Sequence, residues 1–271
     1  MSRPMWTVKI AEICFPYRFF LARFTKVPII GKIIDSILFM DDRIIYLPKD
    51  NVIPVNRQLQ KPDDVVLPSK VIEHFIEKAT FHWIMNVCIC REASQCKNYP
   101  IDLGCLFLGN AAMGINPKLG RRVTKEEAIE HIRKCGEAGL VHMIGRNRLD
   151  TVWLGVGPGT QLLSICNCCP CCCLWRMLPY TAAKISENVK KMPGVEVRVT
   201  DRCIGCGTCT QGVCFVDAIH LKNGKAHINE DCRGCGRCVD ICPNDAIDLI
   251  IEESSFIQDS IDQIAEAVDV T

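Results

Sequence analysis

Two runs of four cysteines lie close together in the last third of the chain. Their spacings are Cys203-x2-Cys206-x2-Cys209-x4-Cys214 and Cys232-x2-Cys235-x2-Cys238-x3-Cys242. A four-iron cluster needs thiolates around a compact cube, and two residues between ligands let a loop curl around it. The spacing therefore predicts iron–sulfur ligation. A pair of zinc knuckles is the alternative, but zinc sites rarely combine eight cysteines in two such runs.

Residues 195–250 resemble the bacterial-type two-cluster ferredoxins. Ala-Ile follows both runs, at Ala218 and Ala246, and Pro243 follows the last cysteine. The resemblance implies a ferredoxin-type domain with two [4Fe–4S] clusters, in which the fourth ligand of each cluster comes from the other run. The ligands implied for the first cluster are Cys203, Cys206, Cys209 and Cys242. Those implied for the second cluster are Cys232, Cys235, Cys238 and Cys214.

The first run departs from this family in two ways. Four residues, rather than three, precede Cys214, and Phe215 stands where a proline is usual. We expect the extra residue to move the fourth ligand of the second cluster or to loosen its loop. Either change would shift the reduction potential of that cluster.

Ten further cysteines form a central cysteine field made of two groups. The groups are Cys88, Cys90, Cys96 and Cys105, and Cys166, Cys168, Cys169, Cys171, Cys172 and Cys173. Successive side chains in an extended segment point to opposite faces, so the second group can serve two metal centres or one large centre with spare thiols. Cys14 and Cys135 stand alone, and each is expected to be a small buried side chain.

The central cysteine field is expected to bind metal. Crowded thiolates repel one another in a poorly solvated site, and bound cations remove that cost. We expect an additional iron–sulfur cluster here, because soft thiolates favour iron–sulfur or zinc. A structural zinc site is one alternative. Disulfides or free thiols are the other, which a reducing compartment disfavours.

The segment from Cys88 to Cys242 resembles a group of iron–sulfur proteins of anaerobes. The shared motifs are Cys-Ile-Cys-Arg at 88–91, Gly-Leu-Val-His at 139–142 and Ile-Cys-Asn-Cys-Cys-x-Cys-Cys-Cys at 165–173. The resemblance implies electron carriage and names no substrate. Arg91 is a candidate donor to cluster sulfurs, with a surface ion pair as the alternative. His142 is a candidate ligand or proton donor, with a hydrogen-bonded structural histidine as the alternative.

Composition narrows the function further. The formal net charge of +1 argues against nucleic acid as a partner, since that calls for a concentrated basic face. Metal-binding thiols must stay reduced, which predicts the cytoplasm of an anaerobe. The first residues lack the pattern of a signal peptide. No nucleophile–base signature such as Gly-x-Ser-x-Gly is present, so no catalytic residue is predicted.

The N-terminal residues are apolar and basic. Six Lys or Arg and one Glu precede Asp35, a local excess of five positive charges. Residues 1–55 are expected either to contact the cytoplasmic face of a membrane or a partner subunit, or to pack on their own domain. The most apolar stretch, from Ile29 to Met40, is too short to span a bilayer.

The sequence predicts an α+β protein. Its predicted parts are an N-terminal docking segment at 1–60, a cysteine-rich domain at 61–193, a two-cluster ferredoxin domain at 194–250 and a C-terminal helix at 251–271. Within them we predict a linker at 56–64, helices at 69–79 and 181–192, a helix capped by Thr124 and Glu127, a strand pair at 140–144 and 151–154, and a hairpin at Asn223-Gly224.

These patterns together predict an iron–sulfur electron-transfer protein that serves redox enzyme subunits. Electrons would move between the two ferredoxin clusters and then to the central cysteine field or to a partner. One alternative is a reductase whose active centre is the central cysteine field. The other is a redox-sensing or scaffold protein whose central thiols bind zinc.

Overall fold

The computed structural model describes residues 3–50, 67–251 and 255–271. Helices and strands are mixed, which confirms the α+β prediction. The helices are α1 Met5–Cys14, α2 Arg18–Arg23, α3 Pro28–Leu38, α4 Ser69–Lys78, α5 Ile89–Ala93, α6 Lys125–Glu137, α7 Arg148–Leu154, α8 Ala183–Glu187, α9 Arg237–Asp240 and α10 Phe256–Ala265. The strands are β1 Arg43–Tyr46, β2 His82–Met85, β3 Leu106–Leu108, β4 Gly120–Arg122, β5 Val141–Arg146, β6 Leu163–Cys168, β7 Val189–Lys191, β8 Val195–Val199, β9 Ile219–Lys222, β10 Lys225–Ile228 and β11 Ile247–Ile251. The predicted linker at 56–64 and the predicted boundary at residue 60 lie outside the described residues.

A seven-stranded sheet lies at the centre of the molecule, with the strand order β4-β2-β3-β6-β5-β1-β7. Neighbouring strands are antiparallel, except that β1 and β7 are parallel. The pairing of β5 with β6 places His142 opposite Asn167 of the cysteine motif. β1 falls within the predicted docking segment and is a strand of this sheet.

Side chains alternate between the two faces of the sheet, as the strand repeat requires. Ile45 and Leu47 lie in a core that includes residues of α4, α6 and α10. Ile44 and Tyr46 lie in a second core, which contains Cys168. The cysteines of β6 therefore belong to the face opposite these helices, and the predicted C-terminal helix, α10, packs back on the protein.

Local patterns predict some helices correctly and others not. α4 forms where helical spacing predicts it, and Thr124 caps α6 in a capping box with both reciprocal hydrogen bonds. The strand predicted at 151–154 is wrong, because these residues belong to α7, where Trp153 Nε1 donates to Asp150 Oδ1 at 2.8 Å within one turn. The helix predicted at 181–192 is limited to α8, because residues 189–191 pair with β1 as β7.

The C-terminal region is built from two antiparallel strand pairs, β8 with β11 and β9 with β10. Asn223 and Gly224 have φ of 52° and 73°, the left-handed values that the turn of the predicted hairpin needs. Gly205, in the first cysteine loop, has φ 71°, and a Cβ there would lie 1.9 Å from the carbonyl oxygen of Gly224. The hairpin therefore packs directly against the backbone of the cysteine loop.

The three N-terminal helices pack on the protein with one face and leave another apolar face exposed. Val8, Ala22 and Gly31 are buried on the inner side. The exposed apolar side chains are Trp6, Ile10 and Ile13 of α1, Phe20 and Leu21 of α2, and Ile29, Ile30, Ile33 and Ile37 of α3. In the parts of the chain that the structure describes, no helix has the length and apolar character needed to cross a membrane.

Candidate metal centres

Two small cavities in the C-terminal region are each lined by four cysteines. The first ferredoxin cavity is lined by Cys203, Cys206, Cys209 and Cys242. The second ferredoxin cavity is lined by Cys214, Cys232, Cys235 and Cys238. Each cavity takes three cysteines from one run and one from the other, which is the grouping that the resemblance implies. Despite the extra residue before it, Cys214 reaches the cavity of the second run.

Backbone amides donate hydrogen bonds to the sulfurs around both cavities. Ala218 N donates to Cys214 Sγ at 3.2 Å, and Ala246 N donates to Cys242 Sγ at 3.3 Å. These alanines begin the two Ala-Ile pairs of the sequence, so each pair places an N–H against the last cysteine of its run. Such donation stabilises a thiolate and raises the potential of a cluster bound to it.

The central cysteine field divides into two sets. One set lines a cavity of about 260 Å³, here called the six-cysteine cavity, and consists of Cys88, Cys90, Cys105, Cys166, Cys168 and Cys173. Cys14 and Cys169 also border this cavity and are not counted in the set. Its sulfurs form close pairs, with 3.7 Å between Cys105 Sγ and Cys166 Sγ and 3.3 Å between Cys168 Sγ and Cys173 Sγ. A hydrogen bond from Cys90 is the main reason that the pKa of Cys88 is lowered to about 6. The cavity therefore presents sulfurs from both groups of the central field.

The other set, here called the four-cysteine group, is compact. Its members are Cys96, Cys169, Cys171 and Cys172, and their Sγ atoms all lie within 4.8 Å of one another. Cys96 lies in the loop after α5, and the other three lie in the turn after β6. Cys166, Cys169 and Cys172 have the spacing of a cluster loop, yet Cys166 belongs to the first set and Cys172 to the second, while Cys169 belongs to the second and also borders the six-cysteine cavity.

Four arginines border the cavities, three of them buried and Arg18 half-buried, and their surroundings indicate whether anionic clusters fit there. Arg18 and Arg91 line the six-cysteine cavity, and Arg233 and Arg237 line the second ferredoxin cavity. The Nε atom of each is buried without a hydrogen-bond partner among the described residues. A buried guanidinium without an anion nearby is costly. These positions therefore fit clusters that carry the negative charge of thiolates and sulfides.

Arg91 is fully buried, which excludes a surface ion pair. Its guanidinium donates to the carbonyl oxygen of Asn167 at 2.7 Å and to that of Leu103. Burial acts to lower the pKa of Arg91, but the thiols of Cys88 and its neighbours outweigh burial and raise it. The cation thus sits among the cysteines, where its charge offsets theirs.

His142, unlike Arg91, lies outside the six-cysteine cavity and forms a hydrogen bond between β5 and β6. Its Nδ1 is hydrogen-bonded to Oδ1 of Asn167 at 2.8 Å, and Nδ2 of Asn167 donates to the carbonyl oxygen of Gly104 at 2.8 Å. Burial lowers the pKa of His142, which favours the neutral ring. His142 is not among the residues that line the six-cysteine cavity. This geometry is that of the hydrogen-bonded structural histidine, and it aligns β5 with β6.

The two isolated cysteines, Cys14 and Cys135, differ in their exposure to solvent. Cys135 is fully buried in an apolar cluster, as expected. The same expectation is wrong for Cys14, which is exposed and borders the six-cysteine cavity where α1 ends. Neither thiol belongs to the sets defined above.

Two aromatic residues connect the second ferredoxin cavity with the six-cysteine cavity. Phe215 lines the former, and its ring stacks on that of Tyr46 with 4.3 Å between centroids. Tyr46 Oη lies 3.5 Å from Cys173 Sγ. Burial raises the pKa of Tyr46 well above its usual value, so the phenol keeps its proton and can donate to the sulfur. The sequence marked Phe215 only as a departure, and a lone tyrosine in a strand carries no motif.

A third contact joins the same two regions. Arg237, which precedes Cys238, donates through its guanidinium to the carbonyl oxygen of Cys168. Both residues are buried. A charged residue inside a cysteine loop was the available signal for this contact, and spacing alone does not show what it bonds.

Comparison with known proteins supports part of this assignment. A family described as 4Fe-4S binding domain matches residues 226–248, which contain all four cysteines of the second run. The uncharacterized protein MJ1681 of Methanocaldococcus jannaschii is 42% identical over 62 residues, which cover 22% of this chain and 15% of that protein. No solved structure gives a significant match. The chain therefore carries a 4Fe–4S binding domain toward its C-terminal end and is an iron–sulfur protein with at least one [4Fe–4S] cluster.

Proposed function

We propose that the protein transfers electrons among three iron–sulfur centres: a [4Fe–4S] cluster in each ferredoxin cavity and a further cluster in the six-cysteine cavity. Such clusters take up and release single electrons. The stacked rings of Phe215 and Tyr46, which join the second ferredoxin cavity to Cys173, are the observation that carries the proposal. Both rings are buried, and these non-covalent contacts hold the two centres at a fixed separation.

The ligand sets follow from the linings of the cavities. Cys203, Cys206, Cys209 and Cys242 hold the first cluster. Cys214, Cys232, Cys235 and Cys238 hold the second cluster. Cys88, Cys90, Cys105, Cys166, Cys168 and Cys173 supply the ligands of the third. Arg91, Arg233 and Arg237 stabilise the clusters electrostatically, since a buried cation beside a cluster favours its reduced form.

Exposure supports an order among the three centres. Cys206 is exposed, and Ile204 beside it is 72% exposed, so the first cavity opens to solvent. Cys214 belongs to the second cavity but also packs on the apolar cluster around Cys209 of the first. The second cavity thus lies between the first cavity and the six-cysteine cavity. A redox enzyme subunit that exchanges electrons with this protein would contact it beside Ile204.

The proposal is tested by removing the middle centre. Cys232→Ala should eliminate the second cluster while the iron of the six-cysteine cavity remains. In rapid freeze-quench measurements with a protein donor, the third centre of the wild type should be reduced after the ferredoxin signals. In the variant that reduction should slow by orders of magnitude. Equal rates in the two proteins would refute the proposed order.

Metal analysis separates the proposal from a zinc scaffold. Two four-iron clusters account for about eight irons per chain, so a third iron–sulfur centre requires a clear excess over that number. An anaerobic preparation with about eight irons and zinc in the six-cysteine cavity would favour the scaffold. A colourless preparation would contradict iron–sulfur ligation altogether.

A reductase is the second candidate function, and one observation favours it. Asp150 lines the six-cysteine cavity, and burial raises the pKa of its carboxyl. A carboxyl with a raised pKa beside a redox centre can take up and pass on a proton, which suits the protonation of a reduced substrate. Asp150→Asn should then slow reoxidation by acceptors that take up protons and leave one-electron acceptors unaffected. Identical rates with both classes of acceptor would exclude this role.

A further inference from the structure

The four-cysteine group is too compact to surround an iron–sulfur cube. Cys171 Sγ lies 3.7 Å from Cys96 Sγ and 3.6 Å from both Cys169 Sγ and Cys172 Sγ. A tetrahedral ion with metal–sulfur bonds of about 2.3 Å places its sulfurs about 3.8 Å apart. Among the described residues, no three of the cysteines that line the ferredoxin cavities lie within the 4.8 Å that encloses this group. The sulfurs of the ferredoxin cavities are therefore farther apart, as ligands around a four-iron cube must be.

We propose that Cys96, Cys169, Cys171 and Cys172 bind one metal ion, zinc or iron, in a closed site of its own beside the six-cysteine cavity, which Cys169 also borders. Four thiolates fill a tetrahedron and leave no open position, which is typical of a structural site. Two groups on the chain offset the negative charge. Arg176 donates from Nη1 to the carbonyl oxygen of Cys171 at 2.6 Å, and the Arg91 cation acts on Cys169.

The ion joins two segments that also line the six-cysteine cavity. Cys96 follows α5, which carries Cys90, and Cys169 to Cys172 lie between Cys168 and Cys173. Binding one ion therefore fixes the loop after α5 against the turn after β6. This bracing role rests on the proposed function of the cavity, whereas the metal site itself does not.

Cys96→Ser is the direct test, because Cys96 is only partly buried and the substitution keeps its size. The variant should lose one metal ion per chain, and its ferredoxin signals in electron paramagnetic resonance should match those of the wild type. Cys135→Ala is the matched control, because Cys135 packs in the same apolar cluster but is outside the group. The control should keep the full metal content.

The outcomes separate the two metals and the two kinds of site. One zinc per chain with four sulfurs at about 2.3 Å in the X-ray absorption spectrum identifies zinc. A lone-iron component in the Mössbauer spectrum, without zinc, identifies iron. Loss of several irons from Cys96→Ser, or of no metal, would overturn the proposal. If the variant does not fold, the X-ray absorption and Mössbauer spectra of the wild-type protein test the proposal. Absence of both the four-sulfur zinc signature and the lone-iron component would overturn it.

A second inference rests on the exposed face of the N-terminal helices. Trp6, Ile10 and Ile13 recur on one side of α1 and are 63%, 50% and 70% exposed. Ile29 and Ile33 do the same in α3, at 75% and 54% exposed. Spacings of three and four residues place such side chains on one helix face. Exposed apolar helix faces of this kind are uncommon on soluble monomers and mark binding surfaces.

Positive charge indicates what covers this face. Lys9, Arg23, Lys26 and Lys32 are exposed among the apolar side chains, and the carboxylate of Asp35 is bound by Lys184 at 2.6 Å. We infer that the N-terminal face binds the surface of an anionic lipid bilayer. The apolar side chains enter the interface and the cations meet the headgroups. Phe15 and Leu21 also line the six-cysteine cavity, so the cavity lies on the membrane side of the protein.

Vesicle sedimentation tests this surface. The protein should pellet with vesicles that contain phosphatidylglycerol, less with phosphatidylcholine alone, and less again at high salt. Trp6→Ala and Ile33→Asp should each weaken binding at least tenfold. Met113→Asp is the control, because Met113 is 59% exposed and lies outside these helices. Failure to pellet, or equal binding by all variants, would overturn the inference, as would a dimer that Ile33→Asp dissociates.

Discussion

The C-terminal region and the central cysteine field both contain many cysteines, yet only the first has a grouping that can be read from spacing. Each ferredoxin cavity takes three cysteines from one tight loop, so a single interval of two residues describes most of its lining. The six-cysteine cavity draws on α5, the segment before β3, β6 and the turn after β6. Spacing thus reveals a site when its ligands share a loop, and tertiary structure decides the grouping when they do not.

Removal of one thiol from each region tests this difference most strongly. Cys206→Ala should cost about four irons and one cubane signal, because a cube needs all its thiolates. Cys166→Ala should lower the iron of the six-cysteine cavity and leave both ferredoxin signals intact. Iron content and electron paramagnetic resonance of the two anaerobic proteins check both outcomes.

The two regions would not be independent if Cys206→Ala and Cys166→Ala removed the same cluster. Should Cys166→Ala also abolish a ferredoxin signal, the two regions would share a cluster. Cys135→Ala is the common control, since Cys135 lines neither cavity.

Alanine substitutions at two glycines test how rigidly the first cysteine loop is held. Gly205→Ala places a Cβ against the carbonyl of Gly224, whereas Gly212, with φ 70°, has no atom of the described residues within 4 Å of the equivalent position. Both substitutions carry the left-handed cost of about 1–2 kcal/mol. Gly205→Ala should lose more stability than Gly212→Ala and should also lose iron from the first cavity. Denaturant unfolding with iron analysis measures the difference, and equal effects would show that the hairpin does not constrain the loop.

Sequence predicted the parts of the fold that are set by local chemistry. The capping box at Thr124 and the turn at Asn223-Gly224 each need only neighbouring residues, and both are present. Residues 151–154 have strand-like composition, but hydrogen bonds within one turn and the surrounding packing make them helical. The contact between Tyr46 and Phe215 joins residues 169 positions apart, and no interval in the chain encodes it.

The division of the central cysteine field into the six-cysteine cavity and the four-cysteine group is likewise predictable only where it depends on neighbouring residues. Alternation along β6 explains why Cys166 and Cys168 belong together, and the sequence already allowed two centres. The assignment of Cys173 to the same cavity, and of Cys96 to the four-cysteine group, depends on how distant loops meet. Those contacts are properties of the fold.

Stability against pH should distinguish the central sheet from the ferredoxin region. Burial raises the pKa of Asp42, the residue just before β1, to about 8, whereas an unfolded aspartate titrates near 3.8. The folded protein therefore keeps a proton that the unfolded chain loses, and stability falls as pH rises from about 4 to 8. The slope is about 1.4 kcal/mol per pH unit. Asp42→Asn should remove this decline.

Asp41→Asn is the matched control, because Asp41 is exposed and adjacent in sequence. All four tryptophans lie outside residues 194–250, so their fluorescence follows the central sheet, while visible absorbance follows the clusters. Only the fluorescence transition should depend on pH through Asp42. An unchanged slope in Asp42→Asn would show that its carboxyl is ionised in the folded protein.

The smallest expected effect concerns the link between the two regions. Tyr46→Phe removes the phenol that lies 3.5 Å from Cys173 Sγ but keeps the ring stacked on Phe215. Hydrogen bonds to cluster sulfurs raise the reduction potential, so the third centre should become harder to reduce. Redox titration should show a more negative potential for that centre and unchanged potentials for the two ferredoxin clusters. Tyr99→Phe, beside the four-cysteine group, should change none of them. If Tyr46→Phe instead changed the reduction potential of the second ferredoxin cluster, Tyr46 would act through Phe215 and not through Cys173. Tyr46 would then belong functionally to the ferredoxin region and not to the central cysteine field.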